Sequence, residues 1–226
     1  MKQNPNSMRK RVSMLLAAAL AAVFISAVPT AANAEAASPV LLTFEDSDTA
    51  GAGAVGNNGG ADFTGSFEGS STAIATPGVA RTGKALEFTK TGNPWSGVGI
   101  YQAGAGEQLT SAAKPVISLD YFSPDSANSP LMLKLESAGG ASYLRAVVTA
   151  VPGWNRFDVD FSTLSGANGT WSAAVTYKQL ALFPNFRDGD VAGASPAPVA
   201  NTGQKYFIDN VSFNGAEMPS LADAVT

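Results

Sequence analysis

Hydrophobic and polar residues alternate with a period of two along much of the chain. Within residues 116–122, three apolar side chains alternate with polar ones, and residues 131–136 and 156–161 repeat the pattern. Successive side chains of a strand point to opposite faces of a sheet, so this alternation predicts half-buried antiparallel strands.

Clusters of Gly, Ser, Asn and Pro separate about ten or eleven such segments and leave no convincing helix beyond a possible turn within 175–182. The other predicted strands are 40–44, 61–68, 73–76, 85–90, 97–101, 143–151, 179–183 and 205–213. Many short strands joined by polar turns are typical of a two-sheet sandwich or a barrel. The chain has no repeat of fixed period, which argues against a propeller or a solenoid.

The N-terminus has the pattern of a secretory signal. Arg9, Lys10 and Arg11 precede an apolar run at 12–28, and Ala32-Asn33-Ala34 is a small-residue cleavage site. The alternative is an uncleaved membrane anchor, although the run of 17 residues is short for a span. We therefore expect a bacterial-type signal peptide at 1–34, a secreted domain at 35–214 and a C-terminal tail at 215–226.

Composition excludes several kinds of site. The chain of 226 residues contains no Cys and no His, so it has no thiol nucleophile, no His-ligated metal and no Ser-His-Asp triad. Hydrophobic residues make up 45% and charged residues 14%, which indicates a folded chain rather than a disordered one. The length is that of one β-sandwich domain.

The charge balance disfavours polyanionic partners. Cleavage after Ala34 removes four basic residues and no acidic one, which takes the net charge from −4 to −8. Binding to nucleic acid or to an anionic membrane needs clustered Lys and Arg, so we expect neither for the processed chain.

Six segments, in order, resemble the jelly-roll carbohydrate-binding modules found beside bacterial laminarinases, xylanases and alginate lyases. They are residues 41–45, 83–88, 95–100, 117–122, 151–157 and 206–211. The most specific feature is Phe44-Glu45 in the first strand together with Ile208-Asp209-Asn210-Val211 in the last. The resemblance implies an all-β, antiparallel two-sheet β-sandwich of the jelly-roll, galactose-binding-like kind. It also implies sugar binding without catalysis and a structural calcium ion near the chain ends.

The resemblance assigns the calcium role to Glu45 and Asp209. Asp209 shares its parity with Phe207 and Val211, and a carboxylate on a core-facing side must be paired or bound to a metal. Calcium takes six to eight oxygen ligands, which loop carbonyls of residues 51–60 could complete. The alternative is that Asp209 caps a turn or pairs with Arg or Lys while Glu45 is solvated.

Aromatic and basic residues are the candidates for ligand binding. A sugar packs its C–H face on an aromatic ring, and its hydroxyls need polar partners at the rim. The candidate platforms are Trp95, Tyr101 and Trp154, and the candidate rim residues are Lys134, Arg145 and Arg187. The alternative for Trp154 is that it packs at a strand start, and for Lys134 and Arg145 that they form an ordinary solvated face.

Two acidic segments are open to a second interpretation. Asp188-Gly189-Asp190 is predicted to be a polar turn, with a loop at the rim of a sugar site as the alternative. Asp158 and Asp160 have the spacing of paired carboxylates but lie on a predicted solvent face.

The sequence thus predicts a secreted, non-catalytic protein that binds a polysaccharide, either a β-glucan or an acidic polymer such as alginate. A separate polysaccharide-degrading enzyme is an open second partner. Two alternatives remain: a polysaccharide lyase or glycosidase with a divergent site, and a structural surface or adhesion domain.

Overall fold

The computed structural model describes residues 39–45, 65–79, 83–102, 109–110, 115–196 and 201–220. The predicted signal peptide at 1–34, the loop at 51–60 and the end of the tail at 221–226 lie outside the described residues. The side chain of Tyr101 lies outside them as well, although its backbone belongs to a strand.

Eleven strands account for the regular structure of the described residues. They are β1 (Val40–Leu42), β2 (Gly65–Ser66), β3 (Ser71–Ala75), β4 (Ala85–Thr89), β5 (Val98–Gln102), β6 (Val116–Ser123), β7 (Ser129–Ser137), β8 (Tyr143–Ala150), β9 (Gly153–Asp160), β10 (Tyr177–Pro184) and β11 (Lys205–Phe213). Short 3-10 turns occur at Ala138–Gly140, Phe161–Thr163 and Gly166–Asn168. No helix of the described part is long and apolar enough to cross a membrane.

The strands form two antiparallel sheets, as predicted. The first sheet has the order β3-β4-β11-β6-β9, with β1 also paired to β11, and the second has the order β2-β5-β10-β7-β8. Only β3–β4 and β7–β8 are consecutive strands of the same sheet, and at every other connection between these strands the chain changes sheet. These crossings make a jelly-roll-like sandwich and place consecutive strands on opposite sides of one core.

The main core lies between the sheets and follows the period of two. Leu119 and Tyr121 of β6 and Leu133 and Leu135 of β7 are fully buried members of it. The helical turn predicted within 175–182 is wrong for residues 177–182. These residues belong to β10, which pairs with both β5 and β7. Pairing on both sides outweighs a weak local helical tendency.

A bulge in β11 changes which side chains face the core. Its register with β6 shifts between Asp209 and Ser212, and Asn210 has a φ of 48°. Ile208 and Val211 lie in the core, whereas Phe207 packs against Phe122 on the outer side. The predicted parity of Asp209 with Val211 is therefore wrong, because an extra residue in a bulge reverses the alternation.

A second, smaller core covers part of the outer face of the second sheet. Met132, Ala181 and Phe183 from that face pack against Phe186 and Val191 of the segment after β10. We call residues 185–194 the covering loop. It leaves the rest of this face open, and that open part contains the groove described next.

Candidate functional site

The outer face of the second sheet carries a row of residues from four strands. Gly99 of β5 is paired with Ala181 of β10, Ala181 with Lys134 of β7, and Lys134 with Arg145 of β8. Gly99 and Ala181 at one end of the row have little or no side chain, whereas Lys134 and Arg145 at the other end have long cationic side chains. The face is therefore a depression with one polar side.

A groove with a volume of about 310 Å³ lies on this face. Its lining consists of Phe67, Glu68, Trp95, Lys134, Glu136 and Phe183. The volume is at the lower end of the range for small-ligand sites. Of the predicted binding residues, Trp95 and Lys134 line the groove.

Phe67, Trp95 and Phe183 form the aromatic wall of the groove. Phe67 stacks on Phe183 with ring centroids 6.2 Å apart, and Trp95 meets Phe183 edge-on at 5.7 Å. Offset and edge-on contacts of this kind hold rings at fixed angles.

Gly97 is the reason that Phe183 can lie flat beside β5. A Cβ atom at this position would lie 2.7 Å from the carbonyl oxygen of Leu182 and closer still to the ring of Phe183. Such distances are too short for real Cβ contacts, so only glycine allows the approach. Fully buried Ser96 precedes it, and together they lead from the Trp95 loop into β5.

The indole of Trp95 is held from two further directions. Its Nε1 donates a hydrogen bond of 2.9 Å to Oδ2 of Asp188, and its ring meets Phe186 edge-on at 4.9 Å. Asp188 also accepts a 3.0 Å bond from the backbone N–H of Asp190, as expected of a polar turn. The turn at 188–190 is thus a support for the aromatic wall.

The polar wall of the groove is an ion pair beside an exposed ring. Nζ of Lys134 lies 2.5 Å from Oε1 of Glu136. The Lys134 ammonium and the Arg145 guanidinium lie 5.4 and 5.0 Å from the ring centroid of Tyr143, which is 44% exposed. An ammonium, a carboxylate and a phenol side by side offer both donors and acceptors to a ligand with many hydroxyls.

Glu68 contributes a second carboxylate to the groove. Its Oε2 accepts a 2.7 Å bond from Nδ2 of Asn93. The lining residues then carry one positive and two negative formal charges. The groove therefore has no excess of positive charge with which to attract a polyanion.

The other predicted binding residues lie apart from the groove lining. Arg187 belongs to the covering loop, and its Nε donates a 2.8 Å bond to Oδ1 of Asn185. Arg145 is next to the lining, on the edge strand rather than on an inner one. Tyr101 of β5 is paired with Leu180 of β10, and the side chain of Tyr101 is outside the described residues.

Trp154 belongs to the other sheet, so the structure does not bring it together with Trp95 and Lys134. It lies in β9, 5.6 Å from the ring of Phe122, and its Nε1 donates a 2.9 Å bond to the carbonyl of Val79. Its neighbour in the register, Phe122, packs in turn on Phe207. This small aromatic cluster covers the outer face of the first sheet and agrees with the alternative that Trp154 packs at a strand start.

Sequence reasoning missed four lining residues, namely Phe67, Glu68, Glu136 and Phe183. Glu136 shares a strand face with Lys134, so parity could have indicated it. Nothing local distinguishes Phe67 and Glu68, because they enter the site through the packing of the β2–β3 turn beside β5.

The predicted calcium residues belong to a junction of strands in the first sheet, with Glu45 shortly after β1 and Asp209 within β11. β1 and β4 both pair with β11, and Glu45 at the end of β1 accepts a 2.8 Å bond from the backbone N–H of Lys84. Oδ1 of Asp209 accepts a 2.8 Å bond from the backbone N–H of Asn210. In the described part of the chain, no group of three or more Asp, Glu, His or Cys residues is arranged to hold a metal ion.

Asp120 beside this junction is committed to a structural ion pair. It is fully buried and receives bonds of 2.8 and 2.9 Å from Nε and Nη2 of Arg156, and one of 2.8 Å from Nδ2 of Asn210. The hydrogen-bonded carboxylate raises the pKa of Arg156 further, so the guanidinium stays charged.

Solved structures similar to this chain are carbohydrate-binding modules of the kind that the sequence resembles. The C-terminal family 22 module of Clostridium thermocellum Xyn10B is 10% identical, with a TM-score of 0.46 over 80% of this chain and 95% of the module. The family 11 module of the C. thermocellum cellulase Lic26A-Cel5E is 18% identical, with a TM-score of 0.44 over 80% and 96%. The CBM22-2 xylan-binding domain of Paenibacillus barcinonensis Xyn10C is 14% identical, with a TM-score of 0.44 over 76% and 96%. No protein-family model and no curated protein matches the sequence.

Proposed function

We propose that this protein binds a neutral polysaccharide in the groove of the second sheet, without cleaving it. The observation that carries the proposal is the pairing of an aromatic wall with a charge-compensated polar wall across one open groove. Rings accept the C–H face of a pyranose, and the Lys134–Glu136 pair offers a donor and an acceptor to its hydroxyls.

Charge favours one of the two ligand classes that the sequence left open. Lys134 is already paired with Glu136, and Glu68 adds a further negative charge. An acidic polymer such as alginate would be repelled by the excess negative charge of the groove and by the net negative charge of the whole chain. A neutral glucan or xylan meets no such repulsion, so we favour it.

The expected affinity is modest. A shallow groove with few ring contacts gives dissociation constants from micromolar to millimolar, or roughly −4 to −8 kcal/mol. Such a module works by multivalency or by proximity to another protein, so a separate polysaccharide-degrading enzyme is the natural partner.

An enzyme is the second candidate, because two carboxylates, Glu68 and Glu136, line the groove. Glycoside hydrolysis needs one carboxyl group as acid and another as base or nucleophile. Glu136 is committed to Lys134, and Glu68 is bonded to Asn93, which leaves neither as an evident proton donor.

The test is binding of the purified protein to a panel of polymers, with product release measured in the same tubes. The panel contains neutral β-glucans and xylan, and alginate and pectate as acidic counterparts. Retention on a neutral polymer without new reducing ends supports the proposal. Release of sugars or unsaturated products would establish the enzyme instead, and absence of binding to every polymer would favour a structural or adhesion role.

A further inference from the structure

Lys90 is a buried lysine in contact with the loop that carries Trp95. It follows β4 and is only 1% exposed. Its backbone is fixed by a 3.0 Å bond to the carbonyl of Gln204 and a 2.8 Å bond from the N–H of Gly203. Lysine is rarely buried to this extent unless its ammonium has partners.

The partners of this ammonium are two backbone carbonyls that flank Trp95. Nζ donates to the carbonyl of Asn93 at 3.3 Å and to that of Ser96 at 3.2 Å. One buried cation therefore binds both ends of the four-residue segment 93–96, which contains Trp95. Hydrogen bonds from a charged donor are stronger than those between neutral groups.

Hydrogen bonds within the loop stabilise the same backbone conformation. The N–H of Ser96 bonds the carbonyl of Asn93 at 3.0 Å, and the N–H of Trp95 bonds Oδ1 of Asn93 at 2.8 Å. The N–H of Thr91 bonds Oγ of Ser96 at 3.1 Å. We call residues 91–96 the Trp95 loop.

The charge of Lys90 carries a cost of burial. Burial lowers the pKa of Lys90 to about 8, and nearby Asp125 offsets the effect only in part. An apolar side chain of similar size would avoid this cost of burial. The compensating gain is local, namely the fixed conformation of the Trp95 loop.

We propose that Lys90 is a positioning residue of the groove: through the carbonyls of Asn93 and Ser96 it sets the angle of the Trp95 ring. The effect of Lys90 on ligand affinity rests on the proposed function, whereas its effect on Trp95 does not. The bond of the indole Nε1 to Asp188 holds the ring itself, whereas Lys90 acts on the backbone around it.

The test compares the wild-type protein with Lys90→Met by nuclear magnetic resonance of the indole N–H groups. The chain has three tryptophans, and each indole signal is assigned with a Trp→Phe variant. In Lys90→Met we expect the Trp95 signal to shift or broaden, and the signals of Trp154 and Trp171 to stay in place. Affinity for the neutral polymer should fall at least several-fold.

Lys205→Met is the matched control, because this lysine pairs with Glu87 at an exposed site on the first sheet. It should change neither the Trp95 signal nor the affinity. A folded Lys90→Met protein with an unshifted Trp95 signal would overturn the inference. If the wild-type protein binds no glycan, the proposed function fails, yet the indole comparison still decides the role of Lys90.

A measurement on the wild-type protein covers the case in which Lys90→Met does not fold. Ammonium protons held by two buried carbonyls exchange slowly with water, whereas those of surface lysines exchange fast. At pH 6 we expect a slowly exchanging lysine ammonium signal with proximity to the protons of Trp95 or Ser96. Absence of this signal would refute the arrangement.

Discussion

At the scale of single residues, the groove depends on side chains whose orientation is fixed by partners outside it. Trp95 lines the groove, but its angle is set by Asp188, Phe186 and the loop behind it. Lys134 is likewise held by Glu136 rather than left free. Pre-organised side chains lose little entropy when a ligand binds, so each substitution should be visible in affinity.

Replacing Trp95 tests the aromatic wall. Trp95→Ala should weaken binding to the neutral polymer about tenfold, or ~1.4 kcal/mol, because a stacking ring is lost. Isothermal titration with a soluble oligosaccharide measures the change. Trp154→Ala, which removes the same side chain from the other sheet, should leave affinity unaltered. Equal losses in both variants would place the site elsewhere.

The buried ammonium of Lys90 makes stability depend on pH. Its pKa is lowered from 10.5 to about 8 by burial, so above pH 8 the folded state releases a proton that the unfolded state keeps. The deprotonation of Lys90 should therefore contribute a rise of about 2 kcal/mol in the free energy of unfolding between pH 8 and 10, seen as a difference between the wild-type protein and Lys90→Met. Urea denaturation at several pH values measures this, and Lys90→Met should lack the rise.

Above pH 10 we expect stability to fall again. Burial raises the pKa values of Tyr121, Tyr177 and Tyr206, so these phenols stay protonated in the folded state while unfolded tyrosines ionise. Parallel profiles of the wild-type protein and Lys90→Met between pH 8 and 10 would contradict the burial of Lys90.

At the scale of elements, the groove depends on the close approach of β5 to β10. The residue that precedes β5 is a glycine, so no side chain separates the two strands there. Gly97 precedes β5 and lies against Leu182 and Phe183 of β10. Close contact there brings the Trp95 loop over the second sheet. The covering loop packs on the part of the same face that contains Met132, Ala181 and Phe183.

Gly97→Ala should destabilise the protein by about 1–3 kcal/mol, because the added methyl group displaces the ring of Phe183 or the backbone of β10. Gly78→Ala is the control, since a Cβ atom there meets nothing within 4 Å. Urea denaturation of both variants measures the difference. Equal stability of the two proteins would show that β5 and β10 can separate at little cost.

The junction of β1, β4 and β11 is where the predicted calcium would act. If Glu45 and Asp209 bind calcium, chelation should lower the melting temperature by about 5–10 °C, because a ligand of the folded state alone stabilises it. Asp209→Asn should remove this sensitivity to the chelator. Asp160→Asn, at an exposed position, should retain it. An unchanged melting temperature on chelation would refute the calcium prediction.

At the scale of the whole molecule, the predicted export would change the net charge of the protein. The chain has a net charge of −4, and removal of the predicted signal would make it −8. A net negative charge favours solubility and repels acidic polymers beyond the groove itself. The proposed preference for neutral glycans therefore rests on the charge of the whole protein as well as on that of the groove.

Export is tested by expressing the full chain in a bacterium and analysing the culture medium and periplasm. We expect a protein that begins at Glu35, because cleavage follows Ala34 in the predicted signal. Intact mass and N-terminal sequencing identify the start. A cell-associated protein that retains residues 1–34 would support the membrane anchor instead.

The sequence by itself determined the two-sheet class, most strand positions and the outward direction of Lys134 and Arg145. The reason is that alternation with a period of two is a local property, and it survives packing wherever a strand is regular. β6, β7 and β8 are of this kind. Their predicted and observed boundaries differ by only one to a few residues.

Only the tertiary structure decided which of these faces form a site. The bulge at Asn210 reversed the alternation in β11, and pairing in the other sheet took Trp154 away from Trp95. The meeting of the Phe67 turn, the Trp95 loop and the covering loop depends on long-range packing. Such contacts join residues far apart in the chain, so no local pattern encodes them.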